Sequence, residues 1–114
     1  MTTIYGIPNC DTMKRARVWL DGRGIEHAFH DYRKAGVPED RLKAWVDRLG
    51  WEVLLNRRGT SFRALPGAER NDLDAERAVA IMLAHPSTIK RPVVESDDQL
   101  LVGFDPEGWA RTLG

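Results

Sequence analysis

Apolar and polar residues first organise around Ile4-Tyr5-Gly6-Ile7, a short apolar run closed by Pro8 that fits a buried strand. From Asp11 the period changes. Met13, Ala16, Trp19 and Leu20 recur at helical spacing while Lys14, Arg15 and Arg17 fall on the other face, and Gly22 and Gly24 supply the stop. Ile25, His27 and Phe29 then alternate with Glu26, Ala28 and His30, the period of a second strand. A strand, helix, strand unit with so short a crossover predicts two adjacent parallel strands with a right-handed connection, and position 10 at the carboxyl edge of the first. Loops at that edge commonly bind ligands.

The middle of the chain reads as helical. Pro38 suits a first helical turn, and Leu42, Trp45, Val46 and Leu49 make an apolar stripe that Gly50 ends. Trp51 to Leu55 adds one short turn, and the basic loop Asn56-Arg57-Arg58-Gly59-Thr60 follows. Asn71 then reads as the cap of a helix carrying Leu73, Val79, Ile81 and Leu83 as far as His85-Pro86. Val93-Val94 and Leu100 to Val102 flank the turn formers Ser96-Asp97-Asp98 and predict an antiparallel hairpin, after which Asp105-Pro106 opens a last helix with Trp109 and Leu113. This order predicts an α/β protein: a mixed four-stranded sheet flanked by helices, thioredoxin-like, with a helical insertion at about residues 38–85, all within a single domain over residues 1–114.

Cys10 is the only cysteine, and it stands where the first strand pattern passes into the first helix. A sulfur there meets unpaired backbone N–H groups and the positive end of the helix dipole, which favour the thiolate, the attacking form. The alternative is a buried cysteine that merely fills space. Its polar neighbours Asn9, Asp11 and Thr12 favour the reactive reading, so Cys10 is the candidate nucleophile.

Composition narrows the partners. Seventeen basic residues balance seventeen acidic ones, so bulk charge attracts neither nucleic acid nor an anionic membrane, and any basic site is local. One cysteine excludes an intramolecular disulfide, and the Met1-Thr2-Thr3 start lacks a signal-peptide pattern, which makes the cytoplasm the expected compartment; a monomer is the separate expectation for its assembly. His27, His30 and His85 have no ligand spacing, so no metal is expected. The four tryptophans, Trp19, Trp45, Trp51 and Trp109, fall on apolar helical faces and are expected to pack rather than to stack on bases.

Three segments in order, Ile4 to Ala16 around Cys10, Asn56 to Thr60, and His85-Pro86 to Lys90-Arg91-Pro92-Val93, resemble the arsenate reductase family of the glutathione- and glutaredoxin-coupled class. The likeness spans essentially the whole chain. It is greatest to the small YffB-type bacterial proteins, with Spx-type transcription regulators as more distant cousins. The resemblance implies a thioredoxin-like core with a helical insertion. It also implies a cis Pro92 against the active cysteine, and an anion or glutathione site drawing on Asn9, Asp11, Thr12, Arg57, Arg58, Arg91 and Pro92. Glutathione is then the expected co-substrate, and a glutaredoxin or a glutathionylated protein the expected partner.

Departures from the family pattern separate the possible functions. Arsenate reductases of this class carry three arginines; Arg91 matches one and Arg57 or Arg58 another, but Leu101-Val102-Gly103-Phe104 stands where the third belongs. A histidine and a serine flanking the nucleophile are replaced by Gly6 and Met13. Met13 also occupies the place of the second cysteine of Spx-type redox switches. The expectation is a glutathione-dependent thiol reductase or transferase with one activated cysteine. An oxyanion reductase and a non-catalytic Spx-like partner-binding regulator are the alternatives.

Overall fold

A computed structural model of the chain describes residues 1–8 and 10–113. Strand β1 (Thr2–Gly6) starts earlier than its apolar run and stops before Ile7, because Thr2 and Thr3 pair with His27 and Ala28 of β2 (His27–Asp31). The ladder, rather than hydrophobicity, sets those bounds. Between them runs α1 (Asp11–Gly22), which buries Met13, Ala16 and Leu20 on one stripe. After β2 comes a helical turn absent from the sequence expectation, α2 (Tyr32–Ala35), started by the Asp31 carboxylate accepting the Arg33 N–H at 2.9 Å.

The chain divides into two compact units, one of Met1–Gly36 with Arg91–Gly114, the other of Val37–Lys90. The second unit is helical: α3 (Glu39–Leu49), α4 (Trp51–Leu54), α5 (Thr60–Arg63), α6 (Gly67–Arg70), α7 (Ala75–Ala84) and a 3-10 turn at Pro86–Thr88. Leu42, Trp45 and Val46 of α3 and Ala78, Ile81 and Met82 of α7 are buried where those helices pack together. Each fully buried aliphatic side chain here contributes roughly 1.5 to 3 kcal/mol. Two expectations need correction. The cap of α7 is Asp74, whose carboxylate accepts the Arg77 N–H at 2.8 Å, so Asn71 and Leu73 lie before the helix. Thr60, read as loop, opens α5.

The first unit holds the sheet. β1 pairs in parallel with β2 and antiparallel with β3 (Val93–Ser96), which pairs antiparallel with β4 (Gln99–Val102), giving the order β2-β1-β3-β4. The hairpin turns through Asp97 at φ 53°, a left-handed position that aspartate tolerates. Side chains alternate across the sheet. Ile4 and Val94 face α1 and α8 (Pro106–Leu113), forming a core with Met13, Ala16, Leu20 and Trp109. Phe104 and Trp19 meet Trp109 edge-on, with ring centroids 4.9 and 5.7 Å away, and the Trp109 indole N–H donates to the Gly103 carbonyl at 3.1 Å.

On the other face, Tyr5 Oη donates to Glu95 at 2.6 Å, and Tyr5, His30 and Tyr32 form a ring cluster. Tyr32 Oη is buried without a hydrogen-bond partner among the described residues. Burial first, then the nearby Tyr5 and Glu95, pushes its titration well above the ordinary tyrosine range. The whole is the thioredoxin-like mixed sheet with flanking helices that the element order predicts.

Candidate functional site

The chain leaves β1 at its carboxyl end and reaches Cys10, which is the N-cap of α1 with an extended backbone at φ −135° and ψ 127°. Its carbonyl accepts the Lys14 N–H at 3.0 Å, while its side chain makes no capping bond. The sulfur is therefore left unspent by the helix. Cys10 is half-buried, one flank against the Ile4, Met13 and Leu20 core. Of its neighbours, Asp11 is exposed in the first turn and Thr12 is half-buried. Asn9 lies outside the described residues.

Arg91 and Pro92 enter at the same end of the sheet. Tyr5 pairs with Val93, so the antiparallel register carried one step further sets Pro92 beside Gly6. The Arg91–Pro92 peptide is cis, and the Pro92 carbonyl accepts the Gly103 N–H at 2.9 Å. Pro92 is buried and Arg91 half-buried, and Arg91 makes no ion pair with a described residue. Cys10, Arg91 and Pro92 thus gather at one edge within the first unit.

Gly6 and Met13 form a matched pair. A Cβ on residue 6 would lie 2.5 Å from the Met13 sulfur and 2.7 Å from its terminal methyl, and Met13 is itself fully buried. The two departures from the family pattern beside the nucleophile are one steric solution: methionine fills the space a side chain at position 6 would need. The third departure has its own explanation. Gly103 sits at φ 81°, which disfavours any side chain, and Phe104 is committed to the aromatic cluster.

Arg57 and Arg58 lie in the second unit, exposed in the turn between α4 and α5. The Arg57 guanidinium lies 5.4 Å from the centre of the Trp51 ring, so that half-buried tryptophan steadies a cation as well as packing. With them the structure gathers Lys90 and Glu52, which sequence reasoning missed as site residues. The only sequence signal for Lys90 was its place directly before Arg91. Among the described residues no three His, Cys, Asp or Glu side chains are grouped to hold a metal, and no helix is long and apolar enough to cross a membrane.

Known proteins resemble this chain in sequence and fold. A solved structure of a protein named YFFB matches with a TM-score of 0.97 and 46% identity over the full length of both chains. The solution structure of an arsenate reductase related protein from Brucella melitensis matches with a TM-score of 0.77 and 51% identity, covering 96% of this chain and 92% of that one. An uncharacterized protein of Haemophilus influenzae is 42% identical over 105 residues, 92% of either chain. The family model described as ArsC spans residues 5–112, and the chain accordingly belongs to the ArsC family.

Proposed function

We propose that the protein is a glutathione-dependent thiol reductase or transferase that works through one nucleophile, Cys10. The observation that carries this reading is the sulfur itself, half-buried at the start of a twelve-residue helix, free of any capping bond, and beside the Arg91–Pro92 edge of β3. Thiol-dependent reduction is also the chemistry that ArsC-family membership suggests.

The reaction runs in two exchanges. Cys10 thiolate attacks the glutathionyl sulfur of a mixed disulfide; a disulfide between Cys10 and glutathione forms, the substrate's sulfur–sulfur bond breaks, and the substrate thiolate leaves and takes a proton from water. A second glutathione thiolate then attacks the glutathionyl sulfur, which frees Cys10 as thiolate and releases oxidised glutathione. A glutaredoxin thiolate can take that second role, leaving the glutaredoxin glutathionylated. The resolving thiol must be external because the chain has no second cysteine.

Intact mass after treatment with oxidised glutathione tests this directly, with and without a glutaredoxin. The expected result is a gain of one glutathionyl group on Cys10 that reduced glutathione removes. Unchanged mass under both conditions overturns the proposal.

Arg91 is expected to bind a carboxylate of the substrate, since its guanidinium has no described carboxylate partner and it precedes a buried proline at the sheet edge. A charge-assisted contact of this kind contributes about 1.5 to 3 kcal/mol. Arg91→Ala should therefore raise KM on the order of 10- to 100-fold with a smaller change in kcat, and Arg91→Lys should recover only part because lysine lacks the planar fork. Parent KM in Arg91→Ala would remove Arg91 from the site.

A further inference from the structure

The second unit carries a cleft of about 500 Å³ lined by Glu52, Leu55, Asn56, Arg57, Arg58 and Lys90. Its walls come from distant parts of the chain, joined by an antiparallel bridge between Leu55 and Ile89. The Asn56 N–H donates to the Thr88 carbonyl and the Lys90 N–H to the Leu54 carbonyl, each at 2.8 Å, so Lys90 is held beside the root of the basic turn. That turn is tight. A Cβ on Gly59 would lie 2.8 Å from the Asn56 side-chain nitrogen, and Arg57 and Arg58 occupy its apex.

The charges in this cleft do not neutralise one another in ion pairs, although the Arg57 guanidinium also lies over the Trp51 ring. Three cations stand around one carboxylate, and none of the four makes an ion pair with a described residue. A purely anionic ligand would meet the arginines and lysine well but be repelled by Glu52. A ligand presenting a carboxylate and an ammonium together satisfies both signs, and that combination is an α-amino-acid head. Glutathione carries such a head at its γ-glutamyl end, whereas its glycine end offers a carboxylate alone.

We infer that this cleft is a binding site for an α-amino-acid head, with the carboxylate on Arg57, Arg58 and Lys90 and the ammonium on Glu52. Assigning that head to the γ-glutamyl end of glutathione rests on the proposed function. Lys90 and Glu52 are then specificity-determining residues for that head.

Calorimetry on the full chain with unreactive thioethers separates the ends. S-methylglutathione and S-methyl-γ-glutamylcysteine, which lacks glycine, should bind within about threefold of each other. S-methyl-cysteinylglycine, which lacks the head, and N-acetyl-S-methylglutathione, which lacks the ammonium, should bind at least about tenfold more weakly, a difference of about 1.4 kcal/mol. Glu52→Gln should erase the penalty for acetylation, and Lys90→Gln should weaken both ligands that keep the head intact. Both residues are exposed, so the fold should survive either change, as circular dichroism would verify.

Equal affinity for S-methylglutathione and S-methyl-cysteinylglycine would overturn the inference. So would indifference to acetylation, undetectable binding of S-methylglutathione, or tighter binding of inorganic phosphate. The mass experiment on Cys10 is read separately. Glutathionylation without discrimination between ends defeats this inference alone, and discrimination without glutathionylation defeats the proposed function alone.

Discussion

Replacing Cys10 by serine should abolish glutathionyl transfer, lowering turnover on the order of 10⁴-fold or more, the scale seen when a covalent nucleophile is removed. A serine hydroxyl is scarcely ionised at neutral pH and forms no bond equivalent to the mixed disulfide, so no bypass through the same site exists. The fold should persist. The Cys10 side chain makes no capping bond, and serine is a favoured N-cap residue, so Cys10→Ser should keep or slightly strengthen the start of α1. Turnover of a glutathionylated peptide, followed beside thermal unfolding, checks both halves. Retained turnover in a folded Cys10→Ser protein would dismiss Cys10 as nucleophile.

Arsenate should be a poor substrate, reduced about 100- to 1000-fold more slowly than by an arsenate reductase carrying all three arginines. Reduction requires a Cys10–arsenic adduct whose negative charge is met by preorganised donors, and removing one such donor typically costs that factor. The stretch where the third arginine belongs is spent otherwise: β4 ends at Val102, Gly103 occupies a left-handed backbone position, and Phe104 packs on Trp109. Arginine at 103 would strain the backbone, and arginine at 104 would dismantle the aromatic cluster. Neither substitution should rescue the activity. Arsenite formation, measured with glutathione and glutaredoxin in excess beside such a reductase, gives the comparison. A rate within about tenfold of that control, about 1.4 kcal/mol in barrier, would make oxyanion reduction the leading function.

Where side-chain period and turn chemistry act locally, the sequence already spelled out the structure. The shift from apolar run to helical spacing at Asp11, the alternation beginning at Ile25 and the Asp97-Asp98 turn each rest on near neighbours, and each reappears as β1, α1, β2 and the β3–β4 hairpin. The misses fall where the local pattern is ambiguous or too short. Asn71, Asp72 and Asp74 are all able to cap, and Leu73 extends the apolar pattern; only the bond from Arg77 N–H to Asp74 distinguishes them. The α2 turn is too short for any period to show. Cys10 could be singled out because its chemistry lies in its own position at a strand-to-helix junction. Lys90 and Glu52 could not, since what makes them notable is the Leu55–Ile89 bridge that brings their segments together. The fit of Met13 over Gly6 is likewise a contact that no pattern of residue types announces.

The unit containing the sheet is assembled from both ends of the chain, whereas the helical unit is one uninterrupted segment. This has a kinetic consequence. β1 finds β2 after a short crossover, but it finds β3 only by closing a loop of roughly 60 residues beyond β2, at an entropic cost of about 3.6 kcal/mol for an unstructured loop. If Val37–Lys90 collapses first, its local helix contacts shorten that loop before β3 arrives. Amide protons of α3 and α7 should then become protected ahead of those shared between β1 and β3 in pulsed hydrogen exchange during refolding. On a ribosome the same order follows from synthesis, because β1 emerges early and waits for its antiparallel partner until the helical segment has been made.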